Sequence, residues 1–313
     1  MILSVVATLY NSSAYIEEFT HRVTEVARTF AGDSYEIILV NDGSPDDSLR
    51  RSVNLTACVP HLVVVDLSRN FGHHKAMMTG LAWSCGKHVF LIDSDLEEEP
   101  EWLPLFNRQM KEDEADVVYG VQQHRRGGWV ERLSGSLFYR LFRLLTGIDQ
   151  PDNIVTARLM TRRYVNALMQ HKERELNIGG LWMETGFRQS CQVVKKHATS
   201  STTYTLTRKL RHFVNAMTSF SSLPLEFTFY SGAALSITAA IYIFIHLLRH
   251  FLVATPLDGY ASIVASIWLF SGLIILFLGL QGIYIAKIFS EVKQRPYTII
   301  RQVYRGSDKR IEP

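Results

Sequence analysis

The run His88-Val89-Phe90-Leu91-Ile92 passes directly into Asp93-Ser94-Asp95-Leu96-Glu97, so a short, mostly apolar segment delivers three carboxylates into a turn. A short apolar run bounded by turn residues reads as a buried strand. The same arrangement recurs along the chain. Ile2 to Ala7 leads into Thr8-Leu9-Tyr10-Asn11, and Tyr35 to Val40 leads into Asn41-Asp42-Gly43-Ser44. His61 to Leu67 and Asp116 to Gly120 are two further strands of this kind. Longer helical patterns separate them, and a β-α-β-α order implies an α/β fold with a largely parallel sheet covered on both faces. Ligands of such sheets bind beyond the carboxyl ends of the strands. All three polar turns fall there.

Outward from this region, the character of the 313-residue chain changes. Phe227 to Leu248 and Gly259 to Ala286 carry no charged side chain, and runs of roughly 22 and 28 residues are long enough to span a bilayer. Arg208, Lys209 and Arg211 precede the first run, while Lys287, Lys293, Arg295, Arg301, Arg305, Lys309 and Arg310 follow the second. Against the single Arg249 near the connection, this bias predicts an integral membrane protein of two spans, with both flanks and both termini in the cytoplasm. The expected domains are 1–222, with the site; 223–290, a two-helix transmembrane hairpin; and 291–313, a basic cytoplasmic tail. Trp129 to Leu145 and Leu206 to Phe220 interleave apolar and basic residues, as helices lying in the headgroup region do.

The formal net charge of +3 is too small, and its distribution too uneven, to indicate nucleic acid. Cys58, Cys85 and Cys191 have no CxxC spacing and read as reduced packing residues. A homo-oligomer is left open by the sequence.

Asp93, Asp95 and Glu97 are hard oxygen ligands suited to Mg²⁺ or Mn²⁺. Such an ion is commonly held by one or two carboxylates and by substrate phosphates, which fits a nucleoside diphosphate. Asp42 could accept from the imino N–H of a base, or close an Asx-turn with Gly43. Asn70-Phe71-Gly72-His73-His74-Lys75 opens the helix after the third strand, where free backbone N–H groups and Lys75 could face phosphate. Adjacent histidines on a helix diverge by about 100°, so His73 and His74 read as packing or polar contacts rather than a metal pair.

The succession VVxxxYN, VNDGSxDxS, RNFGHxxA and DxDLxxxPE, closed by Gly282-Ile283-Tyr284 and Glu291-Val292-Lys293-Gln294-Arg295-Pro296, resembles the family-2 inverting glycosyltransferases of GT-A fold. Its resemblance is nearest to the dolichyl- and polyprenyl-phosphate sugar transferases and covers nearly the whole chain. It implies a nucleotide-sugar donor, linked to UDP or GDP, and a polyprenyl-phosphate acceptor drawn from membrane lipid. By this resemblance Thr8, Tyr10, Asn11, Asn41, Asp42, Lys75 and Asp93 border the donor, with Asp93, Asp95 and Glu97 on the metal. Arg132 and Ser136 keep the R-x-x-x-S spacing that binds the acceptor phosphate, and Arg158 joins them. Asp95, Arg132 and Ser136 are the expected catalytic residues.

The chain departs from that branch at Thr8, where Pro is usual, at Ser12, where Glu is usual, and near Gln122, where Arg is usual. Val155-Thr156-Ala157-Arg158-Leu159 stands in place of GDFRL, so an acidic residue is missing. A phosphate monoester is largely dianionic at neutral pH and needs no base. A hydroxyl acceptor, the alternative, would need one, with Glu184 and Asp152 as candidates. A catalytically silent membrane scaffold is the alternative outside enzymology.

Overall fold

The computed structural model describes residues 1–122, 153–173, 178–196, 223–253, 259–306 and 308–311. Arg132, Ser136, Asp152 and both expected interfacial helices lie outside the described residues. In chain order the elements begin with β1 (Leu3–Leu9), α1 (Ile16–Ala31), β2 (Tyr35–Asn41), α2 (Ser48–Leu55), β3 (Leu62–Leu67) and α3 (His73–Trp83). They continue with β4 (His88–Leu91), α4 (Trp102–Glu112), β5 (Val117–Gln122), β6 (Ile154–Thr161), α5 (Arg162–Leu168), α6 (Ile178–Glu184) and β7 (Gln189–Val194). Two long helices, α7 (Leu223–Val253) and α8 (Tyr260–Val292), precede β8 (Ile300–Arg305) and β9 (Asp308–Ile311).

All nine strands form one sheet in the order β7-β5-β6-β4-β1-β2-β3-β8-β9. Its centre, β4-β1-β2-β3, is parallel, in the register Leu3 with Tyr35 and Leu3 with His88. Every residue of β1, β2 and β3 is buried, which is why these strands read as apolar runs rather than alternating patterns. On one face α1 supplies Ile16, Phe19, Val23 and Ala27 at helical spacing. On the other α3 approaches so closely that a Cβ on Gly80 would stand 2.5 Å from Val6 Cγ1.

The five strands expected from sequence are present, and the parallel centre agrees with the expected order. The flanks differ. β6 runs antiparallel between β4 and β5, and β7 pairs parallel with β5. Residues expected as a free basic tail enter the sheet instead. β8 pairs antiparallel with β3, Val303 is fully buried, and Arg301 reaches the buried Asp66 at 3.3 Å. The charge count had hidden one apolar position and a ladder of backbone bonds.

The chain divides into two compact units. One holds the sheet, including everything described from residue 295 onward, and the other holds α7 and α8. Among the described residues one helical segment, Ser266–Val292, is long and apolar enough to cross a membrane, with a mean hydropathy of 2.1.

Gly86 sets the approach to β4. A Cβ there would stand 2.5 Å from Ser4 N, 2.6 Å from Leu3 C and 2.8 Å from His88 O, all backbone atoms that cannot rotate away. Gly86→Ala is therefore expected to destabilise the sheet unit by about 1–3 kcal/mol, seen as a lower denaturant midpoint by circular dichroism. An unchanged midpoint would show that the β1 and β4 entry is not tightly packed.

Candidate active site

The strand order places β1 between β2 and β4, with the chain leaving to opposite sides. This is the topological switch point at which α/β sheets bind ligands. Three turns meet at the carboxyl edge there. Ser94 Oγ donates to the Thr8 carbonyl at 2.7 Å and lies 3.0 Å from Ser12 Oγ. Ser12 N in turn donates to Ser48 Oγ at 3.0 Å. Asp46 gathers the rest, accepting from Ser44 Oγ, Ser48 Oγ, Ser48 N and Ser13 N. Burial opposes the ionisation of Asp46, but these hydrogen bonds win and hold its carboxyl well below the usual range.

The donor-side residues are placed by the same edge. Asn41 and Asp42 are each 2 % exposed. Asn41 Oδ1 accepts from Ser44 N, and its Nδ2 donates to Asp66 Oδ1 at 2.8 Å. Asp42 accepts from Phe71 N at 2.7 Å and from Gly72 N at 3.0 Å, so it ties the second strand to the loop before α3. Burial raises its pKa against those two bonds. Gly43 is required at this junction. Its φ is +59°, and a Cβ would stand 2.4 Å from Asn70 N. Tyr10 and Asn11 are exposed at the crevice lip, with Asn11 N bonded to Ser44 Oγ at 2.8 Å.

The loop before α3 departs from expectation. Its N–H groups were expected to be open to phosphate, yet Phe71 and Gly72 donate to Asp42, and Lys75 and Ala76 donate to the Gly72 carbonyl. Lys75 itself is half-buried in the first turn of α3. His73 makes a bridge that the sequence did not assign. Its Nδ1 lies 2.9 Å from Thr8 Oγ1, and its Nε2 lies 3.3 Å from Asp93 Oδ1. The threonine that replaces the usual proline thus has a partner.

The acidic turn is tightly organised. Asp95 Oδ1 accepts from Glu97 N at 3.0 Å, and Leu96 between them takes a φ of +59°. Glu97 pairs with Lys196 at 3.2 Å, and Glu98 lies 3.8 Å from the same ammonium. Glu98, wholly buried, accepts from Thr156 N at 2.9 Å and from Asp93 N at 3.4 Å. Burial pushes its carboxyl up to about 8, with the charge of Asp93 adding to the rise. Asp95 is also raised, mainly by burial and then by Asp93 and Glu97. Asp93 is lowered, because His73 outweighs the burial that opposes it.

Among the described residues no three side chains of His, Cys, Asp or Glu converge into a complete metal set. Asp93, Asp95 and Glu97 therefore occupy one turn without sharing one point. The donor set still fits a divalent ion completed by phosphate and water, because Asp93, Asp95, Glu97 and Glu98 crowd a partly buried turn that raises two of their pKa values.

Arg158, expected at the acceptor, is 1 % exposed on β6. Its guanidinium stacks on the Trp182 ring and donates to the Thr156 and Val155 carbonyls, while Nη1 has no partner. Burial lowers its pKa to about 9. Asp46, Glu98 and Lys196 stand at the candidate site without having been singled out in the sequence, and His73, read there as a packing or polar contact, makes two polar contacts. The motif VNDGSxDxS did contain Asp46.

Comparison with known proteins identifies the family. The sequence profile described as glycosyl transferase family 2 matches residues 4–169. A Mycobacterium tuberculosis protein named among its glycosyltransferases is 49% identical over 98% of this chain and 90% of its own length. The uncharacterized glycosyltransferase YkcC of Bacillus subtilis is 32% identical over 98% of this chain and 96% of its own. The solved mannosyltransferase PcManGT from Pyrobaculum calidifontis, in complex with GDP-Man and Mn²⁺, is 16% identical, with a TM-score of 0.48 over 93% of this chain and 86% of that one. The parallel centre, the switch-point crevice and the acidic turn define an α/β glycosyltransferase of GT-A fold that uses a nucleotide sugar. The chain belongs to glycosyl transferase family 2.

The raised pKa of Glu98 has a signed consequence. Between the unfolded value near 4.5 and the folded value of about 8, the native state binds the extra proton, so its stability falls as pH rises through that window. Gln mimics the protonated acid. Glu98→Gln is expected to flatten the pH dependence of unfolding, with its advantage over wild type growing from pH 5 to pH 8. Parallel stability curves for the two proteins across that range would contradict this assignment.

Proposed function

We propose that this enzyme transfers a sugar, with inversion, from a UDP- or GDP-linked donor to the phosphate of a polyprenyl-phosphate lipid at the cytoplasmic membrane face. The observation that carries the choice of acceptor is the state of the crevice carboxylates. Asp42 holds two backbone N–H groups, Asp46 holds serines, Asp93 holds His73, Asp95 holds Glu97 N, and Glu97 and Glu98 face Lys196. Each of these groups is engaged by a neighbour, and Glu98, raised to about 8, already carries its proton at neutral pH and is not free to accept another. A nucleophile that arrives ionised suits such a site, and a phosphate monoester does so at neutral pH.

One phosphate oxygen attacks the anomeric carbon as the bond to the nucleoside diphosphate breaks, so a single displacement inverts the centre. Asn41, Asp42, Tyr10 and Asn11 would hold the nucleoside side, with Thr8 beside them. A divalent ion, Mg²⁺ or Mn²⁺, held by Asp93 and Asp95 with Glu97 nearby, would neutralise charge on the departing diphosphate. His73, braced by Thr8, keeps Asp93 oriented. Arg132 and Ser136, with Arg158 behind them, would align the lipid phosphate; fixing the reacting atoms supplies much of the rate.

The membrane arrangement is supported by connectivity. β8, after α8, hydrogen-bonds β3, so the chain on both sides of the two long helices belongs to one sheet. An even number of crossings must separate them. If Ser266–Val292 crosses, a second crossing is needed, and the long apolar α7 is the segment we assign to it, which gives the two-span hairpin with both termini on one side. The basic flanks put that side in the cytoplasm.

Asp95→Asn, isosteric and neutral, is expected to reduce transfer by at least about a hundredfold while the variant still unfolds cooperatively; wild-type turnover in EDTA would reject the metal assignment.

Arg132→Lys keeps charge but loses the planar fork, and should lose most transfer with donor binding nearly unchanged, whereas Glu184→Gln should be tolerated. The reverse pattern would favour a hydroxyl acceptor.

Topology can be read by labelling single cysteines on either side of sealed vesicles, after the exposed Cys58, Cys85 and Cys191 are replaced by serine. Opposite sidedness for residues before α7 and after α8 would overturn the hairpin.

A further inference from the structure

Lys196 stands just beyond the carboxyl end of β7, three places along the sheet from β4 by way of β5 and β6. β7 is parallel to β5, β5 is antiparallel to β6, and β6 is antiparallel to β4. β7 and β4 therefore run the same way, and the residue after each lies at the same edge. This topology explains how a lysine about a hundred residues downstream reaches the acidic turn. Its Nζ is 3.2 Å from Glu97 Oε2 and 3.8 Å from Glu98 Oε1.

We propose that Lys196 is an exchangeable counter-ion. In the donor-free chain it neutralises Glu97, and when the metal-bound donor enters it leaves that carboxylate and contacts the departing diphosphate. The inference rests on the donor site proposed above and adds to it a residue and a movement.

Three observations carry it. The acidic turn concentrates Asp93, Asp95, Glu97 and Glu98, and the groups facing it are the His73 imidazole on Asp93, the Lys196 ammonium on Glu97, and the guanidinium of Arg158 acting on Glu98 from within the core. Of these, Arg158 is sealed by its stacking on Trp182 and by its bonds to two carbonyls, and His73 is braced by Thr8. Lys196 is on a flexible stem and makes single-point contacts rather than a fixed fork. Its partner also matters. Glu97 is a carboxylate expected on the metal, so an ammonium and a divalent cation compete for one group. Once the cation is present, repulsion drives the ammonium off, and the phosphates that arrive with it offer the nearest new negative charge. The same side chain thus opposes metal alone and favours metal with nucleotide.

The test uses the full chain in detergent, comparing wild type, Lys196→Gln and Lys196→Arg, with Lys196→Met as a second neutral variant should the first fail to fold. Mn²⁺ binding is measured by electron paramagnetic resonance without nucleotide. Binding of UDP and GDP is then measured by calorimetry at saturating Mn²⁺. The neutral variants are expected to bind Mn²⁺ about tenfold more tightly, and to bind the diphosphate accepted by wild type about tenfold more weakly. Lys196→Arg should stay near wild type in both. If either affinity is unchanged in a folded neutral variant, the exchange is wrong and the contact is merely structural. If wild type itself binds neither Mn²⁺ nor a nucleoside diphosphate, the donor site falls and this inference falls with it.

Discussion

A parallel sheet covered on both faces has no place for an unsatisfied polar group except at its ends, and β4-β1-β2-β3 obeys this strictly. At the amino ends the protein consumes most of its own polarity, His88 Nδ1 being buried without a hydrogen-bond partner. Ser4 Oγ donates to Glu36 Oε1 at 2.6 Å, while Cys85 N and Gly86 N close the remaining valences on that pair. At the carboxyl ends the polar groups are organised differently. Serines and Asp46 fasten three turns to one another, and the carboxylates of the fourth strand are left crowded at the crevice. The candidate site sits where the sheet's hydrogen-bond ladder runs out.

That crowding has an electrostatic meaning. Evolution of a purely structural turn would favour pairing each acid at its ordinary pKa, whereas burial here raises both Asp95 and Glu98. The deficit is first one of solvation, because burial, the largest cause in both, disfavours the charged forms. His73 and Lys196 moderate the deficit from two other elements, the helix after β3 and the segment after β7.

The parallel centre was legible in sequence because fully buried strands leave an apolar run ending in polar turns, as at Val89 to Asp93. The antiparallel flanks were not. β6 and β7 carry mixed side chains, and β8 (Ile-Arg-Gln-Val-Tyr-Arg) mixes polar and apolar residues without regular alternation inside a segment whose basic charge dominates its appearance. The candidate site was legible to the extent that it lies in motifs, so Asn41, Asp42, Asp93 and Asp95 could be named as neighbours at one sheet edge, where the structure places them. Lys196 was not, because its partners are about a hundred residues distant in sequence and only strand direction brings them together. Arg158 was found as a residue but misread in setting. Its burial against Trp182 depends on α6, which no local pattern connects to β6.

The pairing of β8 with β3 also orders events in time. Arg301 and Ser68, joined across this ladder, are separated by 233 residues, so at synthesis rates of about 5–20 residues per second the partner strand emerges roughly ten to fifty seconds after its template. During that interval β3 is a bare edge, and a bare edge is a site for wrong pairing. The intervening chain includes both long helices, so completion of the sheet waits on their passage through the biosynthetic machinery. A polypeptide stalled before that point carries every residue of the acidic turn but not the strand that closes its sheet. The sheet unit is thus finished last, by residues that follow the apolar ones.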